Sequence, residues 1–165
     1  MGTASILGAA ILIVDDEKIV RESLRFAFGG DHELYTAATA RQARSHIRQH
    51  TLDLVFLDIL LPDMNGIDLL KEIKLIAPTT RVIMLTAVQK IETAVAAMKN
   101  GAFDFLSKPL DIRRAQKLAQ EALAWKKEGL PMRGDKNIED RVDRDASMSN
   151  ILNILASILP YEGNV

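Results

Sequence analysis

Between residue 9 and about residue 127 the chain alternates short apolar runs with longer stretches in which apolar positions return every three to four residues. The short runs predict strands at Ala10–Val14, Glu33–Ala37, Leu54–Leu57, Arg81–Leu85 and Phe103–Leu106. Ile11-Leu12-Ile13-Val14 and Leu54-Val55-Phe56-Leu57 contain no polar position, the pattern of strands buried on both faces. The longer stretches predict helices at Lys18–Phe28, Ala40–Gln49, Gly66–Ile76, Ile91–Asn100 and from Asp111 to about Lys127. Strands alternating with helices imply βαβ units with right-handed crossovers, and so an α/β fold whose parallel sheet is covered on both faces. The punctuation agrees. Gly29-Gly30 ends the first helix, Pro78 follows the third, and Asn100-Gly101 is a helix stop. Pro62, Asn65 and Gly66 mark a turn-rich loop directly after the third strand.

Past Lys127 the pattern breaks. Residues 128–146 are polar, contain Pro131 and Gly134, and mix Lys136, Arg141 and Arg144 with Asp135, Glu139, Asp140, Asp143 and Asp145. Balanced charge of this kind predicts a solvated linker rather than a nucleic-acid arm. In residues 147–165, Met148, Ile151, Leu152, Leu155, Ile158 and Leu159 recur at helical spacing and predict an amphipathic helix, too short to be a domain. Ala115, Leu118, Ala122 and Trp125, in the helix before the linker, alternate spacings of three and four. That stripe either packs on its own sheet or forms a coiled-coil-like seam that continues into a dimerising linker.

Composition excludes several classes. The 48% apolar and 26% charged fractions are those of a soluble globular protein. A net charge of -1 provides no global attraction to nucleic acid or to an acidic membrane surface. The absence of cysteine rules out disulfides and thiolate metal ligands. No apolar stretch approaches the ~20 residues of a membrane span, and Met1 to Ala10 lacks the basic start of a signal peptide. The expected location is the cytoplasm.

Chemistry enters at the strand ends. Asp15 and Asp16 follow the first strand and Asp58 follows the third. In open parallel sheets, sites form outside the carboxyl ends of the strands, so both runs deliver acids to one edge. At ~4 Å two carboxylates repel by about 4 kcal/mol at an effective dielectric of ~20. A hard divalent cation with oxygen ligands offsets this repulsion. Taken singly, each acid would more simply cap the following helix. Thr86 after the fourth strand and Lys108 after the fifth would singly be a cap and a surface charge. Together they bring a hydroxyl donor and an ammonium to the same edge. A transferred phosphoryl group requires such a set: an attacking carboxylate, a bridging Mg²⁺, and donors for the remaining oxygens.

These residues resemble the receiver domains of two-component response regulators. Asp15-Asp16, Asp58, Pro62, Gly66, Thr86, Phe105 and Lys108-Pro109 carry the resemblance, over residues 9 to about 127. It implies a doubly wound, CheY-like sheet of strand order 2-1-3-4-5. Asp58 would accept a phosphoryl group from a phosphohistidine on a sensor histidine kinase. Asp15, Asp16, Asp58 and the backbone carbonyl of Leu60 would bind Mg²⁺. Lys108 would pair with the phosphoryl oxygens, and its bond to Pro109 is expected to be cis. Thr86 would be drawn toward the phosphoryl group, and Phe105 would fill the vacated space. Phe105 lacks a phenolic hydroxyl, so its readout would be packing alone; its simpler role is core. The implied output is a homodimer, through the face of the fourth helix, fifth strand and fifth helix or through the linker helix.

Residues 147–165 resemble the start of the AAA+ ATPase domain of NtrC-like, sigma-54-dependent activators. No G-x-x-x-x-G-K-S/T motif occurs, so the chain is expected to be a fragment without an ATPase site: receiver, linker and the first helix of an effector. The alternative is a stand-alone docking or phosphorelay receiver. A Mg²⁺-dependent phosphohydrolase is disfavoured because position 60, where such sites carry a second acid, is Leu. A nucleotide-binding Rossmann domain lacks its G-x-G-x-x-G.

Overall fold

The computed structural model describes residues 8–87 and 90–127. The expected linker and amphipathic helix lie outside them. Ten elements alternate along the chain: β1 (Ala10–Val14), α1 (Lys18–Phe28), β2 (Glu33–Ala37), α2 (Ala40–Gln49), β3 (Leu54–Asp58), α3 (Gly66–Ile76), β4 (Arg81–Thr86), α4 (Ile91–Lys99), β5 (Asp104–Ser107) and α5 (Ile112–Lys127). The strands form one parallel sheet in the order β2-β1-β3-β4-β5.

Successive strand residues point to opposite faces, and the core divides accordingly. Leu12, Val14, Val55, Leu57, Val82 and Met84 pack with α2, α3 and α4 residues such as Ile47, Leu70 and Ala97. Ile11, Ile13, Leu54, Phe56, Ile83 and Leu85 pack on the other face with Leu24 and Phe28 of α1 and Leu118 of α5. Both faces are therefore dry, which explains why the central strands show no polar alternation. The stripe of α5 belongs to this packing: Ala115, Leu118 and Ala122 are buried against the sheet. They are core, the first of the two alternatives for this stripe; the side chain of Trp125, its fourth member, lies outside the described residues.

The boundaries differ from expectation where function sits. β3 and β4 each run one residue further, so Asp58 and Thr86 end their strands rather than follow them. The ladder explains it: Asp58 partners Leu85, Thr86 partners Ser107, and the Ile59 N–H still donates to the Leu85 carbonyl at 3.0 Å. β5 begins at Asp104. α4 stops at Lys99 with Asn100 as its cap. Asp111 precedes α5, and its carboxylate accepts from the Arg113 and Arg114 amides at 3.0 and 3.3 Å, as a helix cap does. The Lys108–Pro109 peptide is cis.

Candidate functional site

The carboxyl edge of the sheet collects the site. The Asp15 amide donates to the Ala37 carbonyl at 3.0 Å, which continues the β1–β2 ladder and fixes Asp15 just beyond β1. Val14 and Leu57 are register partners, so the next residues, Asp15 and Asp58, emerge side by side. Lys108 follows β5, and its amide donates to the Thr86 carbonyl at 2.8 Å. Thr86 is buried at the end of β4.

The side chains converge. Carboxylate oxygens of Asp15, Asp16 and Asp58 lie within 4.8 Å of one another. The Lys108 ammonium stands 2.8 Å from Asp15 Oδ2 and 3.2 Å from Asp58 Oδ2. Asp15 is 0% exposed and Asp58 3%, so two like charges share a site largely withdrawn from water. Burial, and then the Asp15 charge, push the Asp58 carboxyl up to about 6 against the opposing pull of the Leu60 amide and Lys108. Burial would lower the Lys108 ammonium, but its contacts with Asp15 and Glu17 and the charge of Asp58 outweigh this and hold it above the ordinary lysine value.

One ammonium does not neutralise three acids. Asp15 Oδ2 is buried and pairs at 2.8 Å with the Lys108 ammonium, which it shares with Asp58 and Glu17. A buried carboxylate that shares an ammonium with other acids, beside two further carboxylates, fits a hard divalent cation. Asp15, Asp16 and Asp58 are the residues that could hold it.

The loop after Asp58 is shaped by two contacts. The Leu60 amide donates to Asp58 Oδ1 at 3.1 Å, and Leu60 bridges to Asn65 across the turn. Gly66 packs so closely behind Asp58 that a Cβ there would sit 2.1 Å from the Asp58 carbonyl oxygen. Leu60 is 56% exposed, whereas Phe105 is buried in the layer that includes Ala97.

Two residues of the site were not anticipated. Glu17 Oε1 lies 2.8 Å from the Lys108 ammonium, across 91 positions of sequence. Its only sequence signal is adjacency to Asp15-Asp16. Asp63 accepts from the Ala40 and Arg41 amides at 2.9 and 3.0 Å, which ties the loop after β3 to the start of α2. These amides hold the Asp63 carboxyl below its ordinary range. Its signal, an acid after Pro62, says nothing of the helix it caps.

An acid cluster that fits a cation, with a lysine beside it, at the carboxyl edge of a 2-1-3-4-5 sheet defines a class, and the comparisons agree. Residues 11–120 match the family model described as the response regulator receiver domain. The chain belongs to that family. It is 34% identical over 162 residues to the transcriptional regulatory protein ZraR of Salmonella typhimurium, which covers 94% of this chain and 36% of that protein. It is 41% identical over 113 residues to the response regulator PilR of Pseudomonas aeruginosa, covering 68% of this chain and 25% of PilR. It is 31% identical over 156 residues to NtrC of Azospirillum brasilense, covering 92% of this chain and 32% of NtrC. The chain thus spans about a third or less of these relatives.

Among solved structures, a CheY-like receiver domain protein from Methanospirillum hungatei superposes with TM-score 0.70 at 29% identity, over 74% of this chain and 98% of that one. NtrX from Brucella abortus, in complex with ATP, matches with TM-score 0.70 at 38% identity, over 74% of this chain and 28% of NtrX.

Proposed function

We propose that this receiver takes a phosphoryl group on Asp58 from a phosphohistidine of a sensor histidine kinase. The carrying observation is the convergence of Asp58 with Asp15, Asp16 and the Lys108 ammonium at one buried edge. An oxygen of the Asp58 carboxylate forms the new bond to phosphorus, the bond from phosphorus to the histidine nitrogen breaks, and the imidazole keeps the nitrogen electron pair. Asp15, Asp16, Asp58 and the Leu60 carbonyl would hold Mg²⁺, which supplies charge neutralisation at the transferring group. Lys108 and Thr86 donate to the phosphoryl oxygens.

The product adds about -1.5 to -2 charges and three strong acceptors beside Thr86. A charge-assisted hydrogen bond from its hydroxyl is worth roughly 1.5–3 kcal/mol, enough to shift a two-state equilibrium by more than tenfold. Phe105 relays the movement by packing to the surface of α4, β5 and α5, where a homodimer forms or dissolves. The similarity to ZraR and NtrC supports a place at the head of a sigma-54-dependent activator, in the cytoplasm, with nucleic-acid contact and ATP hydrolysis left to other domains. None of the described helices is long and apolar enough to cross a membrane.

Sedimentation velocity with Mg²⁺, with and without beryllofluoride as a phosphoryl mimic, tests the switch. The expected result is a change in association state in the wild type and none in Asp58→Asn. An unchanged wild type that nevertheless binds the mimic would contradict output through association.

A further inference from the structure

The ammonium of Lys108 has three N–H donors, and three carboxylates surround it: Asp15 and Glu17 at 2.8 Å and Asp58 at 3.2 Å. Two of the three, Asp15 and Asp58, belong with Asp16 to the cation-ready cluster. A divalent cation there would neutralise their hold on Lys108. Glu17 is outside the cluster and would keep its own. Its placement is built: the Glu17 amide donates to Asp15 Oδ1 at 2.8 Å, so its backbone hangs on the cluster itself. Glu17 stands at the start of α1, yet its side chain makes no capping bond to that helix. The carboxylate instead reaches the loop after β5. Its side chain is 54% exposed against 10% for Lys108, so the pair spans the rim and the floor of the site.

From this geometry we infer that Glu17 is a positioning residue that competes with the phosphoryl group for Lys108. At rest the ammonium sits nearer Glu17 than Asp58. Once Asp58 carries a phosphoryl group, its oxygens must draw the same ammonium inward and away from the rim. Glu17 thereby weakens the phosphorylated state relative to a receiver with a neutral residue at this position. The inference rests on the proposed acceptor role of Asp58, and concerns the regulation of that same site.

Calorimetric titration of beryllofluoride into the full chain at saturating Mg²⁺ tests it, using wild type, Glu17→Gln, Lys108→Gln and the double variant. Glu17→Gln keeps the shape and removes the charge. The expected result is about two- to fivefold tighter binding in Glu17→Gln, the range of a partly exposed ion pair. In the Lys108→Gln background the same change is expected to have no effect, because the competition runs through the ammonium. Unchanged affinity in Glu17→Gln would overturn the inference. So would a gain that persists without Lys108, since it would report general repulsion of the anion. A wild type that fails to bind beryllofluoride would overturn the acceptor reading, and the inference with it.

Discussion

Lys74 shows how the fold perturbs a charge away from the carboxyl edge of the sheet. Its ammonium donates to the Thr80 carbonyl at 2.6 Å, and its methylenes lie 3.4–3.5 Å from where a Cβ on Gly101 would sit. Burial, and then the Arg81 charge, lower the Lys74 pKa to about 8. The folded state therefore binds this proton less well than the unfolded chain does, whose lysine titrates near 10.4. Stability must then rise as pH climbs from about 8 toward about 10.4, and the penalty is fully present below that window. Because Lys74 is only partly buried, the rise is expected to be about 1–2 kcal/mol rather than the full shift. Urea denaturation across this pH range should show the rise in the wild type and lose it in Lys74→Met. Equal slopes in the two proteins would assign the titration elsewhere. Asp58 illustrates the opposite case, a carboxyl raised by burial and by Asp15.

Among the elements, α2 has the most fully satisfied N-terminus. Thr39 Oγ1 accepts from the Gln42 amide at 3.1 Å, and Gln42 Oε1 accepts from the Ala38 amide at 2.8 Å. Asp63 takes the two remaining amides from another loop. Replacing Asp63 by Ala is expected to cost about 1–2 kcal/mol in chemical denaturation, the range of a lost helix cap. A cost near zero would mean that water substitutes for the carboxylate. The α5 stripe makes the complementary case. Leu118 is 4% exposed within the core layer shared with α1. Leu118→Ala should therefore lower stability by about 2–5 kcal/mol and leave the association state at fixed folded fraction unchanged. Loss of association without loss of stability would restore the seam. Period alone could not decide between them, because a helix packed on its sheet and a helix packed on a partner carry the same spacing of three and four.

For the molecule as a whole, the architecture was legible because both sheet faces are covered. The apolar runs of β1 and β3 are complete, their ends fall on one edge, and Asp15 and Asp58 met as that rule requires. The Lys108 position was legible for the same reason, as a residue following the last strand. Glu17 and Asp63 were not, since each acts across a gap between loops that depends on side-chain reach rather than on periodicity. Both belong to the carboxyl edge, where Asp58 is the proposed phosphoryl acceptor. The most direct test treats the chain with a small-molecule phosphodonor and Mg²⁺, traps any acyl phosphate by borohydride reduction, and maps the modified residue by peptide mass spectrometry. A single modified residue is expected, at Asp58, with the modification lost on removal of Mg²⁺ and absent in Asp58→Asn, whose fold stays intact. An adduct on another residue, or uptake that persists in Asp58→Asn, would contradict Asp58 as the acceptor.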